Sequence, residues 1–156
     1  GGVIINDGGK VVINSSTIAD SATLGDGNDG GAIAITSGAM IVANSKILNS
    51  SAEGRGGAIH ASGGDLIVTN NSDIVNSRAT SRGGAIHVEE GGRVTIANKS
   101  KISKSRIVGT AAGGAIYVSG GSLTVIHRCS IVNSETKNGL GGAIAVYGGD
   151  FLLADE

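Results

Sequence analysis

The chain has 156 residues, a formal net charge of −1, 40% apolar residues but only 2% aromatic ones, 28 glycines and no proline. That balance excludes a polybasic surface for nucleic acid or anionic membranes. It also excludes a thick aromatic core, since rings dominate the buried area of ordinary globules. No apolar run reaches the ~18–20 residues of a membrane-spanning helix, and "GGVIINDGGK" has neither the charged start nor the long apolar stretch of a signal peptide. Cys129 is the single cysteine, so no intrachain disulfide is possible; it reads as a small, semi-buried side chain.

Read in chain order, short bursts of alternating apolar and polar residues appear at once, and alternation is the strand period. After GGVII (1–5) come KVVIN (10–14) and TIADS (17–21). The same three bursts return as GGAIAI (30–35), AMIVAN (39–44) and KILNS (46–50), then as GGAIHA (56–61), DLIVTN (65–70) and DIVNS (73–77). GGAIHV (83–88), RVTIAN (93–98) and KISKS (101–105) follow, and then GGAIYV (113–118), SLTVIH (122–127) and SIVNS (130–134). GGAIAV (141–146) and DFLLAD (150–155) close the series. The Gly pairs thus recur every ~28 residues, the signature of a repeat architecture, and Gly, Ser and Asn separate the bursts as turns require.

Three short strands per unit, with length variation confined to the segment after the third, describe a three-sided coil. Stacked coils give an all-β, right-handed parallel β-helix (solenoid) of about five to six coils, handedness resting on the general preference of parallel crossovers. Residues 1–156 form a single β-helix domain, expected to be a fragment of a longer solenoid because no caps are evident at "GGVII" or "FLLADE".

Parity assigns the side chains. Ile4, Ile33, Ile59, Ile86, Ile116 and Ile144 should stack inward on the first side. Val11, Met40, Leu66, Val94, Leu123 and Phe151 should do so on the second, beside Ile13, Val42, Val68, Ile96, Val125 and Leu153. Ile18, Ile47, Ile74, Ile102 and Ile131 fill the third. The leading Gly pair is expected at a tight corner, with positive φ or close backbone packing, and the second Gly pair at the bend between the first two sides. Asp20, Asn49, Asn76, Lys104 and Asn133, each followed by Ser, form a polar corner stack. Asn14, Asn49, Asn70 and Asn98 begin N-x-S sequons, which matter only under eukaryotic secretion.

The outward residues of the second side are unusually poor in charge. Val12, Ile41, Ile67, Thr95, Thr124 and Leu152 form one row, and Asn14, Ala43, Thr69, Ala97, Ile126 and Ala154 the next. Val12, Ile41, Ile67, Thr69, Thr95, Thr124 and Ile126 are therefore the candidate partner-binding residues, for a protein partner or self-association; a Thr and apolar strip also suits ice. On the first side His60 and His87 share one outward position, followed by Tyr117, and read as a stacked, partly solvated row. Imidazoles one strand apart could share a metal, but no third acidic or Cys ligand is evident nearby, Glu89 lying on the same side only if the loop bends favourably, so neither a metal nor another cofactor is expected. Asp65, Asp73, Glu89, Glu90 and Asp150 are scattered, without the paired carboxylates of polysaccharide-cleaving enzymes. No catalytic residue is assigned, and the expectation is no enzyme.

The GGAI phrases at 30–33, 56–59, 83–86, 113–116 and 141–144, with "ILNSSA" (47–52) and "IVNSRA" (74–79) downstream, resemble the repeats of the chlamydial polymorphic outer-membrane proteins. Those are autotransporters whose β-helical passengers carry GGA(I/L/V) and FxxN motifs; here Ile stands for Phe and Ser for the final Asn. The resemblance implies an extracellular or cell-surface structural solenoid of adhesin type, without membrane insertion by this segment. A polysaccharide lyase or hydrolase of the β-helix class is the enzymatic alternative.

Overall fold

A computed structural model describes residues 1–25 and 27–155. Every element among them is a strand and every pairing is parallel. The strands stack as a β-solenoid of about five turns with three parallel sheets. No helix among the described residues is long and apolar enough to cross a membrane.

The three sides divide the sequence differently from the expected allocation. In the first two coils the first and second bursts run through as single strands, Ile4–Asn14 and Ile33–Ala43. In later coils the same path is interrupted, as in Ile59–Ser62 with Asp65–Thr69 and Ile86–Glu89 with Arg93–Ile96. All ten of these strands belong to one sheet. The second Gly pair therefore bends a sheet rather than separating two: Gly63, Gly91 and Gly120, and the single Gly38 at the same bend, hold φ between 73° and 86° while the ladder continues on both sides. The third bursts, from Thr17–Ala19 to Ser130–Val132, make a second sheet. A third sheet comes from the segment read as a variable connection, through the two-residue strands Ala22–Thr23, Ser51–Ala52, Arg78–Ala79, Arg106–Ile107 and Glu135–Thr136.

The register is the one parity demands. Ile4, Ile33, Ile59, Ile86, Ile116 and Ile144 pair in succession, and Val11, Met40, Leu66, Val94, Leu123 and Phe151 do the same. Ile33, Ile59, Ile86, Ile116, Met40, Leu66, Ile47, Ile74 and Ile102 are fully buried. Each buried aliphatic side chain of this kind contributes roughly 1.5–3 kcal/mol, which is how a core almost without rings holds. Phe151 and Leu153 keep the inward register, yet they are exposed because a coil covers them on one side only.

The leading Gly pair meets both expectations at once. The first glycine takes a left-handed conformation, φ 60° at Gly56 and 63° at Gly83. The second packs backbone to backbone: a Cβ on Gly57 would lie 2.2 Å from the Gly84 carbonyl oxygen, and one on Gly84 equally close to Gly114. No side chain fits there.

Polar corner stacks complete the frame. Asn76 donates from Nδ2 to Asn49 Oδ1 at 2.8 Å, and Asn49 in turn to Asp20 Oδ1 at 2.9 Å. These corner residues take φ of 54–58°, which Asn and Asp tolerate best among side-chain-bearing residues. A second ladder runs through Ser hydroxyls, with Ser45 N–H donating to Ser72 Oγ at 3.1 Å and Ser72 N–H to Ser100 Oγ at 3.2 Å. Cys129 lies half-buried; its thiol contacts the Ile126 carbonyl at 3.1 Å, and burial raises its pKa.

Candidate functional site

The bent ten-stranded sheet presents two outward faces, and candidate residues lie on both. On the second-burst face, Val12, Ile41, Ile67, Thr95, Thr124 and Leu152 stand directly opposite one another in successive coils. Val12, Ile67 and Leu152 are exposed, and Ile41, Thr95 and Thr124 half-buried by their neighbours. Thr69 lies beside Ile67 on the same face and pairs with Ala43, and Ile126 pairs with Ala154. All seven sequence-assigned residues thus point outward on one sheet. The row is flanked at one edge by Lys10, Asp65, Arg93 and Asp150, of which Asp65 and Arg93 pair with each other at 3.0 Å.

The first-burst face differs from expectation. His60, His87 and Tyr117 are in register and point away from the core, but the structure buries them: His87 is 0% exposed, Tyr117 5% and His60 9%. The partly solvated row is corrected to a covered one. Segments leading into each Gly pair lie over it. Arg55 and Asp29 approach His60 and Glu89 from these segments, and the Arg82 guanidinium lies 5.1 Å above the Tyr117 ring. The rings stack along the axis, His60 on His87 at 5.2 Å, His87 on Tyr117 at 5.3 Å, and Tyr117 on Tyr147 at 6.4 Å.

Glu89 is the second correction. Read as a scattered carboxylate, it instead joins the two imidazoles. His60 Nε2 donates to Glu89 Oε1 at 2.9 Å, His87 Nδ1 is 3.9 Å from Oε2, and Arg55 donates to Oε2 at 2.6 Å. Asp29 adds a second carboxylate, Oδ2 lying 3.8 Å from His60 Nε2, while its Oδ1 accepts the Arg55 backbone N–H at 2.6 Å. Glu89 was legible: it follows His87 by two residues in one strand, and residues i and i+2 share a face. Arg55 and Asp29 carry no such signal, because their positions depend on how the covering segments fold.

The electrostatics of this cluster are uneven. His60 is satisfied by Glu89, whereas neither ring nitrogen of His87 has a hydrogen-bond partner among the described residues. Burial, reinforced by the positive potential of His60, Arg55 and Arg82, pushes its pKa down to about 3, so its imidazole is neutral at physiological pH. An unmet buried polar group of this kind costs about 1–3 kcal/mol.

Beyond Tyr117 the covering segments leave a groove of about 700 Å³ lined by Arg82, Tyr117, Tyr147, Asn138 and Leu140. Asp65 and Asp150 remain apart as expected, in strands separated by those of Val94 and Leu123. Comparison with protein-family models finds no match, and neither curated proteins nor solved structures give one.

Proposed function

We propose that this chain is a non-enzymatic structural or adhesion β-solenoid of the extracellular space or cell surface, whose second-burst face docks a protein partner or a second copy. The observation that carries this is the unbroken outward row Val12, Ile41, Ile67, Thr95, Thr124 and Leu152, held in register and free of charge. The inner stacks already supply the core, so these positions need not be apolar for folding. A flat apolar strip on a rigid sheet suits docking of another flat surface. Extracellular placement rests on the resemblance of the GGAI repeats to autotransporter passengers.

The test is sedimentation velocity over a range of concentrations, together with capture of cell-surface proteins, for wild type and Ile67→Lys. Lost self-association or lost capture in the variant supports the reading; unchanged behaviour in both overturns it. Ice shaping that Ile67→Lys abolishes would move the assignment of the face to ice. Release of reducing ends or unsaturated sugars from a polysaccharide panel would replace the non-enzymatic reading altogether.

A further inference from the structure

The covered face carries chemistry that docking does not use. His60 Nε2, His87 and the Glu89 carboxylate offer ligand atoms that all lie within 4.8 Å of one another. They come from two adjacent strands in perfect register, His60 directly opposite His87 and Glu89 two residues on, so the backbone fixes their spacing. His87 supplies the decisive feature. It is wholly buried, faces Glu89 through Nδ1, and has no hydrogen-bond partner at either nitrogen among the described residues. Buried polar groups are nearly always satisfied; the Ser50, Ser77 and Ser105 hydroxyls also lack a partner, but only His87 combines that lack with two further ligand groups within reach.

We propose that His60, His87 and Glu89 form a binding site for a divalent transition-metal ion of the zinc class, with the fourth position taken by water or Asp29. Two imidazoles and a carboxylate are borderline ligands that suit zinc and its neighbours and disfavour magnesium or calcium, which require oxygen. Tetrahedral zinc places its ligands roughly 3.3–3.5 Å apart, so a pair at the 4.8 Å limit closes by about 1.4 Å on binding. The imidazole lone pairs lie in the ring planes, and the two rings are stacked at 8°, so at least one ring tilts toward the ion. Ligation by His60 requires Nε2 without its proton, which leaves to solvent or passes to Nδ1 and frees the nitrogen that now faces Glu89.

Arg55 stands where the cation would. Its guanidinium neutralises Glu89 at 2.6 Å, and its side chain is 38% exposed, so it can swing into solvent when an ion takes over that charge. The covering segment that carries Arg55 thereby becomes the entry gate. The ion would clamp two neighbouring coils through side chains and stiffen the outer face, in addition to the backbone ladder.

The experiment uses untagged protein stripped with chelator and titrated calorimetrically with zinc chloride, with cobalt(II) absorption as a second readout of tetrahedral nitrogen and oxygen ligation. Wild type is expected to bind a single ion per chain and to give the visible cobalt bands. Glu89→Gln preserves shape and removes the anion, and should weaken binding by at least about tenfold. His87→Tyr, which places at this position the residue already accepted at Tyr117, should do the same, with circular dichroism confirming that it folds. His127→Ala, far from the site in the sequence and on another burst, should bind as wild type does. No saturable binding by wild type, or equal binding by Glu89→Gln and His87→Tyr, overturns the site.

Discussion

The two outward faces of the ten-stranded sheet obey the same parity rule and meet opposite fates. Ile67 and His87 both point away from the core, in strands of one sheet, yet the apolar side chain is 38% exposed and the polar one fully buried. What differs is the cover. The segments preceding each Gly pair carry Asp29, Arg55 and Arg82 over the first-burst face, and nothing comparable contacts the Ile67 row among the described residues. Strand direction is thus a local property of the backbone, while burial is decided by what folds over it.

A charge placed on each face breaks this comparison most directly. His87→Lys puts an ammonium in a fully buried position where Arg55 and Arg82 already repel a cation and where the one carboxylate nearby, Glu89, is engaged by Arg55 and His60. A loss of about 3 kcal/mol is expected, the cost of a buried charge without a free partner. Urea unfolding followed by circular dichroism measures it. A cost equal to that of Ile67→Lys would mean that the cover does not exist.

The same contrast should appear as a pH dependence in metal-free protein. His87 is held neutral down to about pH 3 in the fold, whereas an unfolded histidine protonates near 6.5. Between those values the unfolded chain binds the extra proton, so stability falls as the medium is acidified, by about 1.4 kcal/mol per pH unit from this residue. Above the unfolded value the effect vanishes. His87→Tyr should lose that component of the slope, which urea midpoints taken at a series of pH values would reveal. Identical slopes in the two proteins would place His87 in contact with water.

The inner architecture was legible because it repeats. Ile33, Ile59, Ile86 and Ile116 sit one period apart, and an error of one residue would have turned every stack outward. The outward strip followed from the same count. The third sheet was not legible, since strands of two residues such as Arg78–Ala79 are too short to display a period. The His60–His87–Glu89 cluster was half legible: its alignment follows from register and parity, but its burial and the approach of Arg55 and Asp29 depend on irregular segments without periodicity.

Removing the gate gives a smaller effect. Arg55→Gln deletes an ion pair in which the arginine is partly exposed and Glu89 largely covered. Solvent screens such a pair, so a loss of about 1 kcal/mol is expected. Chemical modification of His60 and His87 by an imidazole-specific reagent should accelerate in the variant, as the covering segment loses its anchor. Unchanged stability together with unchanged modification would show that the cover is held by its backbone alone.

The smallest effect sharpens the comparison from the other side. Ile67 lies between Ile41 and Thr95 in the uncovered row, and each neighbour shields part of it. A lysine at this position can lay its methylene stem along those neighbours and keep its ammonium in water. Asp65, two residues earlier in the same strand and on the same face, is 52% exposed and can share its carboxylate between Arg93 and the new lysine. Ile67→Lys should therefore change unfolding free energy by no more than about 0.5 kcal/mol, with an unchanged circular dichroism spectrum. A loss of several times that size would mean that the second face, like the first, is covered in solution. With stability preserved, any change in association caused by the same substitution belongs to the face itself and not to a damaged fold.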